Sequence, residues 1–205
     1  DEYEGQVALS KLINQLKPEE IQGRVIIVPM ANFPAAKAGL RTSPIDEQNL
    51  NRIYPGDRDG SPSLMIAHYI ESELFRIADY GLDLHSGGSS LHYVPSVVAA
   101  VNENKEQMKK MKELMKAFSA PYSFFFPSGH ADGTTNQAAS RNNVVSIGTE
   151  LGGSGTVSPE CLQICERGIK RFLQACGVIQ AKTQIPASQT RMLHAPDFSY
   201  YCYAM

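Results

Sequence analysis

Gly81-Leu82-Asp83-Leu84-His85-Ser86-Gly87-Gly88 joins a strand to a candidate reactive residue. The first five residues read as a short strand, and Ser-Gly-Gly as the loop at its carboxyl end. In open α/β sheets, ligands gather beyond the carboxyl ends of the strands, so His85 stands where chemistry is expected. Asp83 lies two residues earlier and shares a strand face with His85. A carboxylate there can orient the imidazole. A second run of the same kind is Val144 to Thr149, followed by Glu150-Leu151-Gly152-Gly153. A carboxylate closing an apolar strand is partly desolvated, which raises its pKa toward general-base duty; the same acid could instead serve a salt bridge. The glycines after both runs let backbone approach a ligand closely.

Outward from these two runs, strands and helices alternate. Glu4 to Leu16 places Val7, Leu12, Ile13 and Leu16 on one helical face, and Pro18 stops that helix. Arg24 to Pro29 (RVIIVP) is a continuous β-branched run of the kind buried on both faces of a sheet. Ala31 to Gly60 reads as a long irregular stretch, and loops of that length are usually functional. Ser61-Pro62 opens a helix with Met65, Ile70, Leu74, Ile77 and Ala78 inward. Tyr93 to Val101 and Tyr122 to Phe126 are further strands. Asn102 to Phe118 is an amphipathic helix whose methionines fill core, and Ser158-Pro159-Glu160 starts a last helix that Gly177 ends. This alternation defines an α/β sheet with parallel pairs and right-handed crossovers. From Ala181 the pattern changes, and a tyrosine-rich strand is expected at Ser199 to Tyr203.

Composition bounds the function. The 205 residues are 42% apolar and 20% charged, with 19 basic and 21 acidic side chains. That balance argues against a nucleic-acid binder and against a disordered chain. The longest apolar run, Val97 to Val101, falls far short of the ~20 residues that span a bilayer. No basic-then-apolar leader opens the chain. Cys161, Cys165, Cys176 and Cys202 form no CxxC pair, so unpaired thiols in a reducing, cytoplasmic setting are expected.

Polar residues outside the two strands add detail. Asn51-Arg52, inside NLNRIYPGD (49–57), pairs an amide with a guanidinium fork suited to a substrate carboxylate. Arg41 adds a second cation in the same stretch, and Arg141 is a weaker candidate for a third. Asp1 and Glu2 stand just ahead of the first helix, where acids also complement the helix dipole. His68, His92, His130 and His194 have no partner at ligand spacing and read as structural.

Together DEYEGQVALSKL, NLNRIYPGD, DLHSGG and GTELGG resemble the succinylglutamate desuccinylase/aspartoacylase family, in order from Asp1 to about Gly177. The resemblance implies a three-layer α/β fold, a zinc carboxypeptidase-like mixed sheet flanked by helices. Residues 1–180 would be the catalytic domain and 181–205 the start of a β-rich C-terminal domain. It implies one Zn(2+) per chain, with Glu2 and His85 as two of three ligands; the third, a histidine, would fall two positions ahead of Asp1. A longer enzyme is therefore expected, of which these residues alone would be inactive. Glu150 matches the family's catalytic glutamate, and Arg41 the arginine that stabilises the oxyanion. Asn51 and Arg52 match the clamp for the amino-acid carboxylate. The spellings RTSPID, DLHSGG and TELGGSGTVS are most similar to the ectoine-degradation branch, which deacetylates N2-acetyl-L-2,4-diaminobutanoate. The implied partner is a small N-acyl amino acid, with no nucleic acid or membrane and with room for a homo-oligomer. Desuccinylase, aspartoacylase and carboxypeptidase action stay open as alternatives, as does a metal-free binding protein.

Overall fold

The computed structural model describes residues 1–127, 132–180 and 189–194. In chain order the elements are α1 (Glu4–Gln15), α2 (Phe33–Ala38), α3 (Pro62–Tyr69), β1 (Tyr80–His85), β2 (His92–Ala100), α4 (Lys105–Phe118), β3 (Tyr122–Phe126), α5 (Thr135–Arg141), β4 (Val145–Gly153), α6 (Pro159–Ala175) and β5 (Arg191–His194). The strands form one mixed sheet in the order β1-β4-β2-β3-β5. β2 and β4 are antiparallel, and the other three neighbouring pairs are parallel. Helices flank this sheet, as expected.

Side-chain alternation along the strands assigns the two faces. Val145, Ile147 and Leu151 of β4, with Leu82 and Leu84 of β1, join the main core built from α1, α4 and α6. Phe118, Met115 and Phe125 are buried there almost completely. The intervening residues face α5: the Ser146 hydroxyl lies 3.3 Å from Asn136 Oδ1. A smaller cluster on that side joins Tyr54, Ala67 and Ala138. Asp83, His85 and Glu150 fall in the register of this second, more polar face, because Asp83 pairs with Gly148 and His85 with Glu150.

Several expectations need correction. Arg24 to Pro29 is not a sheet strand: it joins no ladder, and Ile26 and Val28 are 45% and 42% exposed. β-branched residues favour extended backbone, but a strand also needs a neighbour on which to pair. The buried stripe of α1 is Glu4, Ala8 and Leu12, while Ile13 is exposed. Ala31 to Gly60 contains α2 and a single 3-10 turn at Leu50–Arg52. In α3 the buried residues are Ser63 and Ala67, and Met65 faces out, as does Ile77 beyond the helix. The α3 cap is supplied from the loop. Asp46 accepts from the Ser63 backbone N–H (2.7 Å) and from the Ser61 (2.7 Å) and Ser63 (2.9 Å) hydroxyls. Burial opposes its ionisation, but these bonds outweigh that and hold the carboxyl well below the usual range.

Glu150 does not end its strand. β4 continues to Gly153 because its later residues pair with His92 and Tyr93 of β2. Helix α5 was not expected; it is one of the shortest and lies between two strands. Cys161, Cys165 and Cys176 are free thiols. Arg191–His194, inside the stretch expected to open a second unit, pairs with β3 of this same sheet. His130, Cys202 and the strand expected at Ser199 to Tyr203 lie outside the described residues.

Candidate active site

The site forms where the carboxyl end of β1 meets the start of α1. Glu2 reaches this point just before α1, and its Oε2 accepts from the Ser86 backbone N–H at 2.9 Å. The same oxygen lies 2.9 Å from His85 Nδ1. His85 Nε2 is 2.9 Å from Asp83 Oδ2, which makes Asp83 the orienting carboxylate the i, i+2 spacing suggested. Burial lowers the pKa of His85, yet Asp83 and Glu2, one at each ring nitrogen, raise it well above its ordinary value. Burial likewise pushes Glu2 and Asp83 up, and contact with His85 outweighs it, leaving both lowered.

Glu150 is the neighbour of His85 across the β1–β4 ladder. Its Oε2 is buried with no hydrogen-bond partner among the described residues. Burial raises its carboxyl to about 7; the charges of Glu2 and Asp83 push the same way, while His85 and Arg41 pull it down. This is a carboxylate poised to exchange a proton near neutrality.

Glu2, Arg41, Asn51, Arg52, His85 and Glu150 all line one cleft of about 750 Å³. Asn51 lies on the Leu50–Arg52 turn. Its Oδ1 accepts from the Thr135 backbone N–H (2.8 Å) and hydroxyl (3.0 Å), and its Nδ2 is 3.3 Å from His85 Nε2. Arg52 donates to the Asn51 carbonyl at 2.6 Å, and both Arg41 and Arg52 are exposed at the rim. Arg141 is placed elsewhere, bidentate on Glu71 at 2.9 and 2.8 Å. Sequence reading missed Thr135, which fixes Asn51 and also lies beside Asp83. The signal for it was the Thr134 N-cap of α5, which accepts from Gln137.

Close backbone packing explains Gly87 and Gly153. A Cβ on Gly153 (φ +131°) would sit 2.2 Å from the Leu91 carbonyl oxygen, and one on Gly87 would meet the same atom at 2.2 Å. They let the loop after β1 pack backbone to backbone on the last residues of β4, with Gly87 N–H donating to the Gly152 carbonyl at 3.0 Å. That contact holds Ser86, and through it Glu2, in place.

The donor set agrees in part with a catalytic zinc site. Such sites take three protein ligands, commonly His and Glu, with the His oriented by a carboxylate. Glu2 Oε2 and His85 Nδ1 converge in that way, with Asp83 behind the ring. Among the described residues no group of three or more His, Cys, Asp or Glu is arranged to hold a metal.

The fold is a mixed α/β sheet that brings a His–carboxylate pair at the end of β1 beside Glu150 of β4. The chain belongs to the succinylglutamate desuccinylase/aspartoacylase family, whose catalytic-domain model matches residues 1–176. It is 46% identical over 201 residues to the N-alpha-acetyl-L-2,4-diaminobutyric acid deacetylase of Halomonas elongata, covering 98% of this chain and 59% of that protein. Among solved structures, it is similar to the product-bound ectoine utilization protein EutE (DoeB) from Ruegeria pomeroyi. The TM-score there is 0.90 at 40% identity, over 96% of this chain and 59% of that one. A succinylglutamate desuccinylase from Silicibacter sp. TM1040 matches with a TM-score of 0.89 at 38% identity, over 98% and 60% of the two chains. The chain thus spans about three fifths of the length of these relatives.

Proposed function

We propose that these residues are the catalytic domain of a cytoplasmic zinc-dependent amidohydrolase that deacetylates N2-acetyl-L-2,4-diaminobutanoate. The observation that carries the reading is half-buried Glu150, its carboxyl raised to about 7 and its Oε2 buried and unpartnered beside the Glu2–His85 pair. Similarity to the Halomonas elongata deacetylase supports the choice of acyl group and amino acid.

In this reading Glu2 and His85 hold one zinc ion, which when bound supplies Lewis-acid activation of water. Asp83 keeps the His85 proton on Nε2, so that Nδ1 is the ligand atom. Glu150 takes a proton from the attacking water at its free Oε2 and returns it to the departing amine. Arg41 stabilises the oxyanion, a contribution worth ~3 kcal/mol in comparable sites. Asn51 and Arg52 bind the amino-acid carboxylate. With Oδ1 committed to Thr135, Asn51 offers its Nδ2, the end that donates to a carboxylate.

The test is a panel of N-acyl amino acids with the full-length protein. N2-acetyl-diaminobutanoate should turn over fastest; equal or faster turnover of N-acetylaspartate, N-succinylglutamate or a dipeptide would overturn the substrate. Metal analysis should find one zinc per chain and chelation should abolish turnover. Full activity without metal would overturn the zinc reading.

A further inference from the structure

Asn51 can bind a carboxylate only with its amide one way round, and helix α5 decides which. A primary amide has two near-equivalent orientations, one offering N–H groups to the cleft and one a carbonyl oxygen. Thr135, the first residue of α5, aims two donors at a single atom. Its backbone N–H lies 2.8 Å and its hydroxyl 3.0 Å from Asn51 Oδ1. A flipped amide would set its NH2 group against both donors. The Tyr54 phenol and Asp83 also lie beside the Thr135 hydroxyl. That hydroxyl has one hydrogen, and the 3.0 Å contact directs it to Asn51.

Thr135 keeps this position only if α5 does. With seven residues the helix is too short to be stable alone, so contacts at its two ends set its place. At the start, the Gly133 carbonyl accepts from the Tyr54 N–H at 3.1 Å. A Cβ on Gly133 (φ +77°) would sit 2.4 Å from the Arg52 carbonyl oxygen, so a glycine is what lets this loop lie against the Leu50–Arg52 turn. At the far end, about 10 Å away, Arg141 holds Glu71 through two bonds, Nε to Oε1 at 2.9 Å and Nη2 to Oε2 at 2.8 Å. Gln137 joins the two ends: its Oε1 accepts from the Gly133 N–H at 3.1 Å and from Arg141 Nη1 at 3.2 Å. The Glu71 side chain is only 13% exposed. It belongs to the π-helical turn Ile70–Leu74, whose Ile70 packs on Tyr54, Ala67 and Ala138. Exposed ion pairs are usually weak, but a bidentate fork on a largely buried carboxylate fixes geometry as well as charge.

We propose that Thr135 is a positioning residue that fixes the Asn51 amide for substrate binding, and that the Arg141–Glu71 pair anchors it through α5; this rests on the reading of Asn51 as a binder of the substrate carboxylate. Arg141 thus serves the site without lining the cleft.

Steady-state kinetics of the full-length protein test this, with the N-acyl amino acid it turns over fastest and well below each variant's Tm. Thr135→Val keeps the backbone donor and loses the hydroxyl. KM should therefore rise ~3–10-fold, the worth of one hydrogen bond, with kcat within about 2-fold of the parent. Thr135→Ser should match the parent KM. Arg141→Met and Glu71→Gln should each raise KM ~3-fold or more, and the double variant no further than the worse single, because both remove one pair. Binding of the free amino acid by calorimetry should weaken in step with KM. An unmoved KM in Thr135→Val, or in the near-isosteric Glu71→Gln, would overturn the proposal. So would a lower kcat at constant KM in Thr135→Val, which would place the hydroxyl's work at Asp83. Asn51→Ala separates the two levels. A raised KM there beside an unmoved one in Thr135→Val overturns the positioning role alone, whereas an unmoved KM in Asn51→Ala overturns the reading of Asn51.

Discussion

Replacing Glu150 with glutamine separates the two consequences of a buried acid beside the reactive cluster. Its carboxyl is raised from the ordinary 4.5 to about 7, chiefly by burial. The folded chain thus binds this proton more tightly than the unfolded chain. Stability is therefore highest below the unfolded value and falls as pH rises from 4.5 toward 7. Above that range the ionised group costs up to ~3 kcal/mol at 1.36 kcal/mol per pKa unit. Glutamine has no charge to bury, so Glu150→Gln should gain on the parent as pH rises. Urea unfolding of chelator-treated protein should show the gap between variant and parent widening by ~2 kcal/mol from about pH 5 to about pH 8. On the proposed function, the same change in the full-length protein should leave zinc bound and lower turnover ~10²–10⁴-fold. A stability gap independent of pH would refute the burial argument. Undiminished turnover would refute the general-base role. The two readouts fail separately, because the first depends on solvation and the second on proton transfer.

Asp83→Asn should weaken zinc binding by the full-length protein ~10–100-fold, because the His85 ring loses the carboxylate that orients it; unchanged competition with a chelator would refute this. Asp46→Ala removes the acceptor that caps α3 and should cost ~1 kcal/mol in chemical unfolding, most of it lost already in the parent at strongly acid pH. Gly168→Ala places a Cβ 2.4 Å from Cζ of the fully buried Phe118 ring, so unfolding should be eased by ~1–3 kcal/mol. A Tm equal to the parent's would show that the α4–α6 contact has room to yield.

Elements with a strong local pattern were legible in the sequence. β3 falls on the expected residues, and α4 and α6 begin and end near theirs, because polar N-caps and left-handed or glycine ends are local signals. The 24–29 run shows the limit of that logic. Its composition specifies extended backbone, but pairing is a tertiary event that composition does not encode. Glu150 was placed at a strand end because glycines follow it; antiparallel pairing with β2 carries β4 onward through those glycines. Asp83 was legible as a partner of His85 because i and i+2 share a face. Thr135 was not, since its link to Asn51 spans 84 residues and no local pattern reports it.

The geometry around His85 also explains why its supports are backbone groups. A neutral imidazole donates one hydrogen, yet carboxylates stand 2.9 Å from both ring nitrogens. A ring protonated on both nitrogens can donate to both acids, but a ring with one proton holds only one of them, so Glu2 also needs a support other than the ring. Glu2 is held by the Ser86 N–H, and Ser86 lies in a loop locked to the end of β4 by the Gly87–Gly152 bond. Asp83 is fixed by its place in β1, whose register with β4 also brings Glu150 to the side of His85. The acids thus keep their positions through the sheet and the glycine loop after β1, whichever charge occupies the space between Glu2 and His85. On the proposed function such a frame favours metal binding, because Glu2 and His85 would need little rearrangement when a metal arrives.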